Sequence, residues 1–141
     1  PGFFDGIFRR FRHRLLLTAA FQEKGERTPL AMALLLHKND RLYGRYWGSA
    51  AHIPMLHFDA CYYSPIQWAI AHSVSGFDPG IGSHHKIRRG FTAIPNYSLH
   101  RFYDPKLQSI WDAYIGSLNQ RELDHIAALN EQLPFAHEAA G

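Results

Sequence analysis

The sequence has little cysteine, which excludes one common way of stabilising a small protein. Its 141 residues include one cysteine, Cys61, so no disulfide can form within the chain. A chain without disulfides is typical of a reducing compartment, and we therefore expect a cytoplasmic location. A lone cysteine can be a nucleophile, but Cys61 stands among aromatic residues, where cysteine more often packs as a small apolar side chain.

Long apolar runs are missing as well. The longest, 15–21 and 30–36, have the length of β-strands, whereas a membrane-spanning helix needs roughly 18 apolar residues. We therefore expect no membrane span. We also expect no signal peptide, because the first residues lack a basic segment followed by an apolar one. The chain opens at Pro1 without an initiator methionine, and we interpret it as a piece of a longer protein.

Neither sign of charge dominates. Fifteen Lys and Arg against 12 Asp and Glu leave a formal net charge of +3, which permits an anionic ligand without requiring nucleic acid. The basic segment 9–14 could contact nucleic acid, although arginines on a terminal helix are more often solvated. Histidines (10) and aromatic residues (14%) are abundant, which is typical of a packed interior or a cleft lining.

The spacing of apolar residues predicts a helix followed by a meander. Apolar residues at helical spacing predict a short amphipathic helix over 3–11. Three strand-sized runs follow, at 15–22, 29–37 and 42–48. Asn39 and Asp40 both tolerate positive φ, so a two-residue hairpin loop is expected between the second and third runs.

Capping signals place the remaining elements. A capping-box spacing at Ser64-Pro65-Ile66-Gln67 predicts a helix that starts there and runs to about His72. Alternatively, the helix begins near Phe58 and is kinked at Pro65. We expect a short strand at 75–78 and a longer strand at 91–103. Asp104 then caps a last helix, which is continuous or broken at Asn119. The order predicts one α/β (α+β) domain over 1–141, with a mixed, mostly antiparallel sheet flanked by helices.

The stretch "FDPGIGSHHKIRRGF" at 77–91 is rich in glycine and basic residues. Gly80 and Gly82 permit close backbone approach, and Ser83 could cap a short helix over 84–90, where an anion would meet backbone N–H groups. The spacing fits neither a Walker A loop nor a dinucleotide fingerprint. The stretch is therefore an anion contact or a tight turn with solvated basic residues.

Two further patterns have alternative interpretations. His57 and Asp59 have the spacing of two ligands of a metal-binding triad, with His100 as the third ligand, provided that an extended strand puts both side chains on one face. In a sequence with ten histidines this spacing arises easily by chance. We therefore expect no metal. In a regular strand Tyr43, Arg45 and Trp47 share one face, either to hold an anionic group or simply to pack. The glycines of the same run indicate close approach by a backbone or ligand.

Five stretches together resemble motifs of one bacterial family, in the same order along the chain: "LYGRYWG" at 42–48, "LHFDACYY" at 56–63, "DPGIGSHHK" at 78–86, "RGF" at 89–91 and "NYSLHRF" at 96–102. This is a family of predicted N-acyltransferases of peptidoglycan biosynthesis and recognition. It is similar to the Fem-type transferases and belongs to the GNAT-like superfamily. The resemblance covers nearly the whole chain and corresponds to the C-terminal part of a typical member.

The resemblance implies a GNAT-like fold and an enzyme that moves an acyl group from a carrier to an amine. No tightly bound cofactor is implied, and acyl-CoA is the expected co-substrate. The partners would be a small acyl donor and an amine acceptor such as a peptidoglycan precursor. Independently of the resemblance, a second copy of the chain is a candidate partner, since a homo-oligomer could complete the core. The alternatives are a transferase that uses aminoacyl-tRNA and a recognition module without catalysis.

The resemblance also implies roles for individual residues. His57 or His85 would be the base, Asp59 would orient His57 or bind the amine, and Tyr46 or Tyr62 would protonate the leaving thiolate. The residues expected to bind substrate or acyl carrier are Tyr43, Arg45, Trp47, Gly80, Gly82, Ser83, Lys86 and Arg89. The carrier's pyrophosphate would lie near 53–61, and its thioester where the two central strands part.

Overall fold

The computed structural model describes residues 2–82 and 84–134, and the chain divides into two compact units, Pro1–Ile81 and Gly82–Gly141. The expectation of a single domain stays a prediction. Among the described residues, no helix combines the length and the apolar character needed to cross a membrane.

The first unit contains a helix, a sheet and a helical segment (residues 56–71) that packs on the sheet. Its elements are α1 (Gly2–Phe11), a 3₁₀ turn (Arg12–Arg14), β1 (Leu15–Ala20), β2 (Ala31–Lys38), β3 (Arg41–Ser49), α2 (Leu56–Phe58), a π-helical turn (Asp59–Tyr63), α3 (Ser64–Ala71) and β4 (Gly76–Asp78). The strands lie in the order β1-β2-β3-β4, antiparallel except for the parallel pair β3–β4. The predicted mixed, mostly antiparallel sheet with helices is confirmed, while its GNAT-like identity stays a prediction.

The hairpin between β2 and β3 turns at the predicted pair of residues. Asn39 has φ 56°, the left-handed conformation that asparagine tolerates. Asp40 connects this turn to the start of β4, because its carbonyl accepts from the Ser75 N–H at 2.8 Å and its carboxylate from the Ser75 hydroxyl. That side-chain hydrogen bond holds the pKa of Asp40 below its usual range.

The core lies between the sheet and the helical segment. Its centre is formed by Ala33, Leu35 and Leu42, which share one face of the sheet according to the strand register. Cys61 and Trp68 of the helical segment pack against this centre. Cys61 thus occupies the apolar position that its aromatic neighbours in sequence predict.

A β-bulge in β3 makes the predicted face of Tyr43, Arg45 and Trp47 wrong. Leu35 pairs with Gly44 and Leu34 with Tyr46, so Arg45 is the extra residue. Beyond a bulge the alternation of side chains is reversed. Trp47 therefore shares the helix-facing side with Gly44, while Tyr43 lies on the opposite side.

The second unit is built on one long helix. Its elements are α4 (His84–Ile87) and α5 (Pro105–Asn130). The Asp104 carboxylate accepts from the backbone N–H groups of Lys106 and Leu107 at 2.8 and 3.1 Å, as its predicted capping role requires. Of the two forms predicted for the tail, the continuous helix is the one observed.

The short helix α4 ends sooner than the predicted 84–90. The N–H of Phe91 donates to the Lys86 carbonyl at 3.1 Å, and the N–H of Gly90 donates to the Ile87 carbonyl at 2.9 Å. Gly90 has φ 83°. This is the hydrogen-bond pattern of a glycine-terminated helix, which stops because the left-handed residue turns the chain away.

The predicted strand over 91–103 is wrong, because this segment is irregular. Its loose alternation satisfies the strand pattern, but Tyr97 and Leu99 are fully exposed and no described strand pairs with them. Instead, the segment is tied to α5. The Asn130 side chain accepts from the Ala93 N–H at 2.8 Å and donates to the Ala93 carbonyl at 3.0 Å.

Candidate functional site

The helical segment 56–71 positions the candidate residues of the first unit. It begins at Leu56, directly after Met55 in the left-handed conformation (φ 68°), which bears out the longer of the two predicted helices. Its middle widens into a π-helical turn in which the Ser64 N–H donates to the Asp59 carbonyl. Pro65 follows at once. Since proline lacks an N–H and its ring displaces the carbonyl four residues earlier, it disfavours a regular α-helical turn at this point.

A side chain from the sheet holds the π-helical turn in place. Thr18 of β1 donates its hydroxyl proton to the carbonyl of Ala60 at 2.6 Å, in a partly buried position. The register places Thr18 on the same face as the core residue Ala33. The turn is thus fixed against the sheet by a directional bond as well as by apolar packing.

The π-helical turn brings His57 into an aromatic enclosure. The His57 ring lies 5.2 Å from Trp47, 5.5 Å from Tyr62 and 5.5 Å from Phe58, measured between ring centroids, and each contact is edge-on. His57 is half-buried and Tyr62 is buried. A regular α-helix brings together residues three and four apart, whereas the i→i+5 turn lets residue 62 meet residue 57.

The helical conformation of residues 57–59 removes the extended geometry on which the metal interpretation of His57-x-Asp59 depends. The segment is helical here, so side chains two positions apart point to different sides rather than to one face of a strand. Asp59 is exposed, and its carboxylate accepts from the Ser64 hydroxyl at 3.4 Å. Within 2–82 and 84–134, no three His, Cys, Asp or Glu side chains come together as metal ligands.

Strand β3 divides the predicted residues between the two faces of the sheet. Trp47 faces the helical segment and contacts His57. Tyr46 lies on the opposite face, where its ring packs against Phe4 of α1 at 5.4 Å. The structure therefore brings Trp47, His57 and Tyr62 together but separates Tyr46 from them by the thickness of the sheet.

Arg45 occupies the bulge itself. Its guanidinium lies 5.4 Å from the centre of the Tyr43 ring, and its Nη1 donates to the neighbouring Gly44 carbonyl at 2.9 Å. Arg45 is exposed and Tyr43 is half-buried. The two residues form a cation–π pair at the surface, which can contact an anionic group while the guanidinium retains further donors.

The central strands part next to Gly44. Strand β4 pairs with β3 only over Arg41–Tyr43, and its chain then turns at Gly80, whose N–H donates to the Asp78 carboxylate at 2.8 Å. A Cβ on Gly44 would lie 3.4 Å from the Pro79 backbone, so the predicted close approach to this glycine is made by another backbone. Beyond this point, no described strand covers residues 45–49 of β3 on the β4 side.

The remaining predicted residues belong to the second unit. Lys86 on α4 is only 9% exposed, which is unusual for a lysine residue, and its neighbour His85 is half-buried. Nη1 of Arg89 donates to the His85 carbonyl at 2.7 Å. Gly82 is exposed, and Ser83 lies outside the described residues. The structure thus groups His85, Lys86 and Arg89 in one short helical turn.

The fold and the site define an α/β protein with a histidine in an aromatic enclosure beside an open strand edge. Its sequence matches the FemAB-like family of peptidoglycan biosynthesis/recognition over residues 1–137. The chain therefore belongs to this family, and the predicted resemblance is confirmed. No curated protein and no solved structure matches the chain.

Two features of the site were not predicted from the sequence. The Thr18–Ala60 hydrogen bond joins residues 42 positions apart, and no local pattern connects them. The contact of His57 with Tyr62 depends on the widened turn. Its one sequence signal is Pro65, which follows "HFDACYYS" at a position where a regular helix would need an N–H.

Proposed function

We propose that this protein is an N-acyltransferase that acts on a peptidoglycan precursor, with His57 as the general base. The observation that carries the proposal is the His57 ring, held by Trp47, Phe58 and Tyr62 beside the open edge of β3. Histidine suits the removal of a proton from an ammonium group, because it titrates near neutral pH in general. Membership of the peptidoglycan family supports the class of acceptor.

The proposed reaction is aminolysis of a thioester such as acyl-CoA. The amine nitrogen attacks the carbonyl carbon, His57 accepts the proton that the nitrogen loses, and the C–S bond breaks. Tyr62 donates a proton to the leaving thiolate. Backbone N–H groups of residues 45–49, with which no described strand pairs on the β4 side, stabilise the negative charge that develops on the carbonyl oxygen. Strand donors suit this role because they are fixed in direction before the reaction begins.

The other predicted residues are proposed to bind substrates. Asp59 carries an exposed carboxylate that suits the ammonium group of the acceptor, and the Arg45–Tyr43 pair suits a phosphate or carboxylate. For Lys86 and Arg89, which lie within the second unit, we propose contact with an anionic group. Tyr46 is left out of the catalytic set because it faces α1.

The test compares His57→Ala with His72→Ala. The second variant removes a histidine of the same helical segment that is exposed and stacks on Trp68 at 4.2 Å, away from the aromatic enclosure. We expect His57→Ala to lower the rate of acyl transfer to a muropeptide amine about tenfold or more, a common contribution of a general base. The His72→Ala rate should stay within about twofold of the wild-type rate.

The assay measures product by mass spectrometry with acyl-CoA and, separately, with aminoacyl-tRNA as donor. Activity with aminoacyl-tRNA alone, weakened steeply by salt, would assign the donor to RNA. Binding of muropeptide without transfer from either donor would identify a recognition module. Equal rates for wild type and His57→Ala would refute His57 as the base.

A further inference from the structure

The first helix has an apolar face that the protein core does not use. At 3.6 residues per turn, the apolar residues of α1 cover an arc of about 140° on one side of the helix. Four phenylalanines on that arc remain 57%, 47%, 40% and 53% exposed, namely Phe3, Phe4, Phe8 and Phe11. No residue of α1 is buried. Phe3 and Phe4 touch the Tyr46 ring, yet each keeps about half of its surface open.

Positive charge is concentrated next to this face. Residues 2–14 contain four arginines and one acidic residue, Asp5, so their formal charge is 4 − 1 = +3, equal to that of the whole chain. Arg9 and Arg10 lie in the last turn of α1, and Arg12 and Arg14 follow in the 3₁₀ turn. Asp5 lies in the first turn, at the opposite end of the helix.

We propose that α1 is a membrane-surface helix that binds an anionic lipid bilayer. A helix of ten residues is about 15 Å long, half of the roughly 30 Å of a hydrocarbon core, so it would lie in the interface and not cross it. Phenylalanines on one face and arginines on the other are the composition of such helices. The rings enter the acyl boundary while the arginines contact headgroup phosphates.

A bilayer fits this arrangement better than a nucleic-acid duplex does. The phenylalanines form one continuous face, and most of the arginine side chains project from the other side or follow the helix. A duplex that meets the arginines through its phosphate backbone would leave the aromatic face in water. A bilayer interface instead offers acyl chains and anionic headgroups within one thin layer, so both parts of the segment can bind at the same time.

The test is co-sedimentation of the full chain with vesicles of phosphatidylcholine, with and without an equal part of phosphatidylglycerol. We expect binding to the anionic vesicles that weakens with added salt. Arg9→Glu/Arg10→Glu should weaken it at least about tenfold, because each cation near an anionic surface contributes roughly a fivefold effect. Phe8→Ser/Phe11→Ser should weaken it at low and high salt alike, since it removes apolar burial.

The matched control is Lys24→Glu/Arg27→Glu, which makes the same change in net charge. Both residues lie in the exposed turn after β1, and six strand residues, about 20 Å, separate that turn from the 3₁₀ turn. The control should bind within about twofold of wild type. Circular dichroism of each variant shows whether the fold is kept.

Three results would overturn the proposal. The first is wild-type protein that does not sediment with anionic vesicles. The second is a control variant that loses as much binding as Arg9→Glu/Arg10→Glu, which would mean that net charge alone is responsible. The third is an RNA oligonucleotide that binds through Arg9 and Arg10 while vesicles do not. Since no acyl donor is involved, these outcomes are independent of the proposed acyl transfer.

Discussion

Gly44 lies at the point where β3 and β4 part, and its missing side chain would stand next to the Pro79 backbone. A Cβ at this position would stand 3.4 Å from the Pro79 carbonyl carbon and 3.5 Å from its Cα. These are ordinary van der Waals distances for a Cβ, but a branched side chain would need space that the Pro79 backbone occupies. Gly48 lies on the same strand with nothing within 4 Å of its missing Cβ. The two glycines are thus alike in sequence and different in surroundings.

We predict that Gly44→Val destabilises the fold and Gly48→Val does not. The added methyl groups at position 44 overpack against Pro79, which costs about 1–3 kcal/mol. At position 48 valine meets open space and suits a strand, so the change should lie within about 0.5 kcal/mol. Urea unfolding of the three proteins measures both effects. Equal free energies of unfolding for the two variants would contradict the predicted crowding at Gly44.

The π-helical turn is the feature that decides the candidate site at the scale of elements. It carries Cys61 and Tyr62 between two α-helical stretches, and it sets the contact between Tyr62 and His57. Thr18 on β1 binds the carbonyl of Ala60 within this turn. The sheet and the helical segment are therefore joined at the turn that positions the proposed base.

We predict that Thr18→Val weakens the attachment of the π-helical turn to the sheet, while Thr18→Ser preserves it. Valine has nearly the shape of threonine but no hydroxyl, so the partly buried hydrogen bond to Ala60 is lost at a cost of about 1 kcal/mol. The amide proton of Ser64, which is bonded within the turn, should exchange faster in the valine variant.

Hydrogen exchange followed by NMR checks this expectation, and serine is the control because it keeps the hydroxyl. If valine and serine gave the same exchange rate at Ser64, the hydroxyl of Thr18 would not be what holds the turn. A concurrent loss of acyl transfer in the valine variant alone would connect the turn to the proposed activity of His57.

The whole molecule consists of two units that are stabilised in different ways. The first has a sheet with a packed apolar centre at Ala33, Leu35 and Leu42. In the second, no residue of the 26-residue helix α5 is buried. Its irregular segment instead attaches to that helix through Asn130 and through Phe102, whose ring lies 5.5 Å from the Trp111 ring.

We predict that Asn130→Ala destabilises the second unit, whereas Asn119→Ala stabilises it slightly. Asn130 satisfies both backbone groups of Ala93, and removal of its partly buried amide costs about 1–3 kcal/mol. Asn119 is exposed within the same helix, where alanine is favoured by about 0.5 kcal/mol. Thermal unfolding, followed through a probe placed within residues 84–134, distinguishes the two variants. Similar melting temperatures for both variants would show that Asn130 does not hold the segment.

The sequence predicts this fold best where the signal is local. The Asn39–Asp40 turn and the Asp104 cap are correct because their chemistry acts within a few residues. The strand over 91–103 is wrong because a strand also needs a partner, and no described strand lies beside residues such as Tyr97 and Leu99. An alternating pattern cannot report whether another chain segment is present to bind its backbone.

Among the site residues, the sequence by itself determined which chemical groups are available: His57, Asp59 and Tyr62 in one stretch, and Trp47 in a predicted strand. Only the tertiary structure decided which of them meet. The bulge at Arg45 moved Trp47 to the face of His57, and the π-helical turn brought Tyr62 to the same ring. Both are one-residue changes in register, and their direction is fixed by packing against residues distant in the chain, which no local pattern contains.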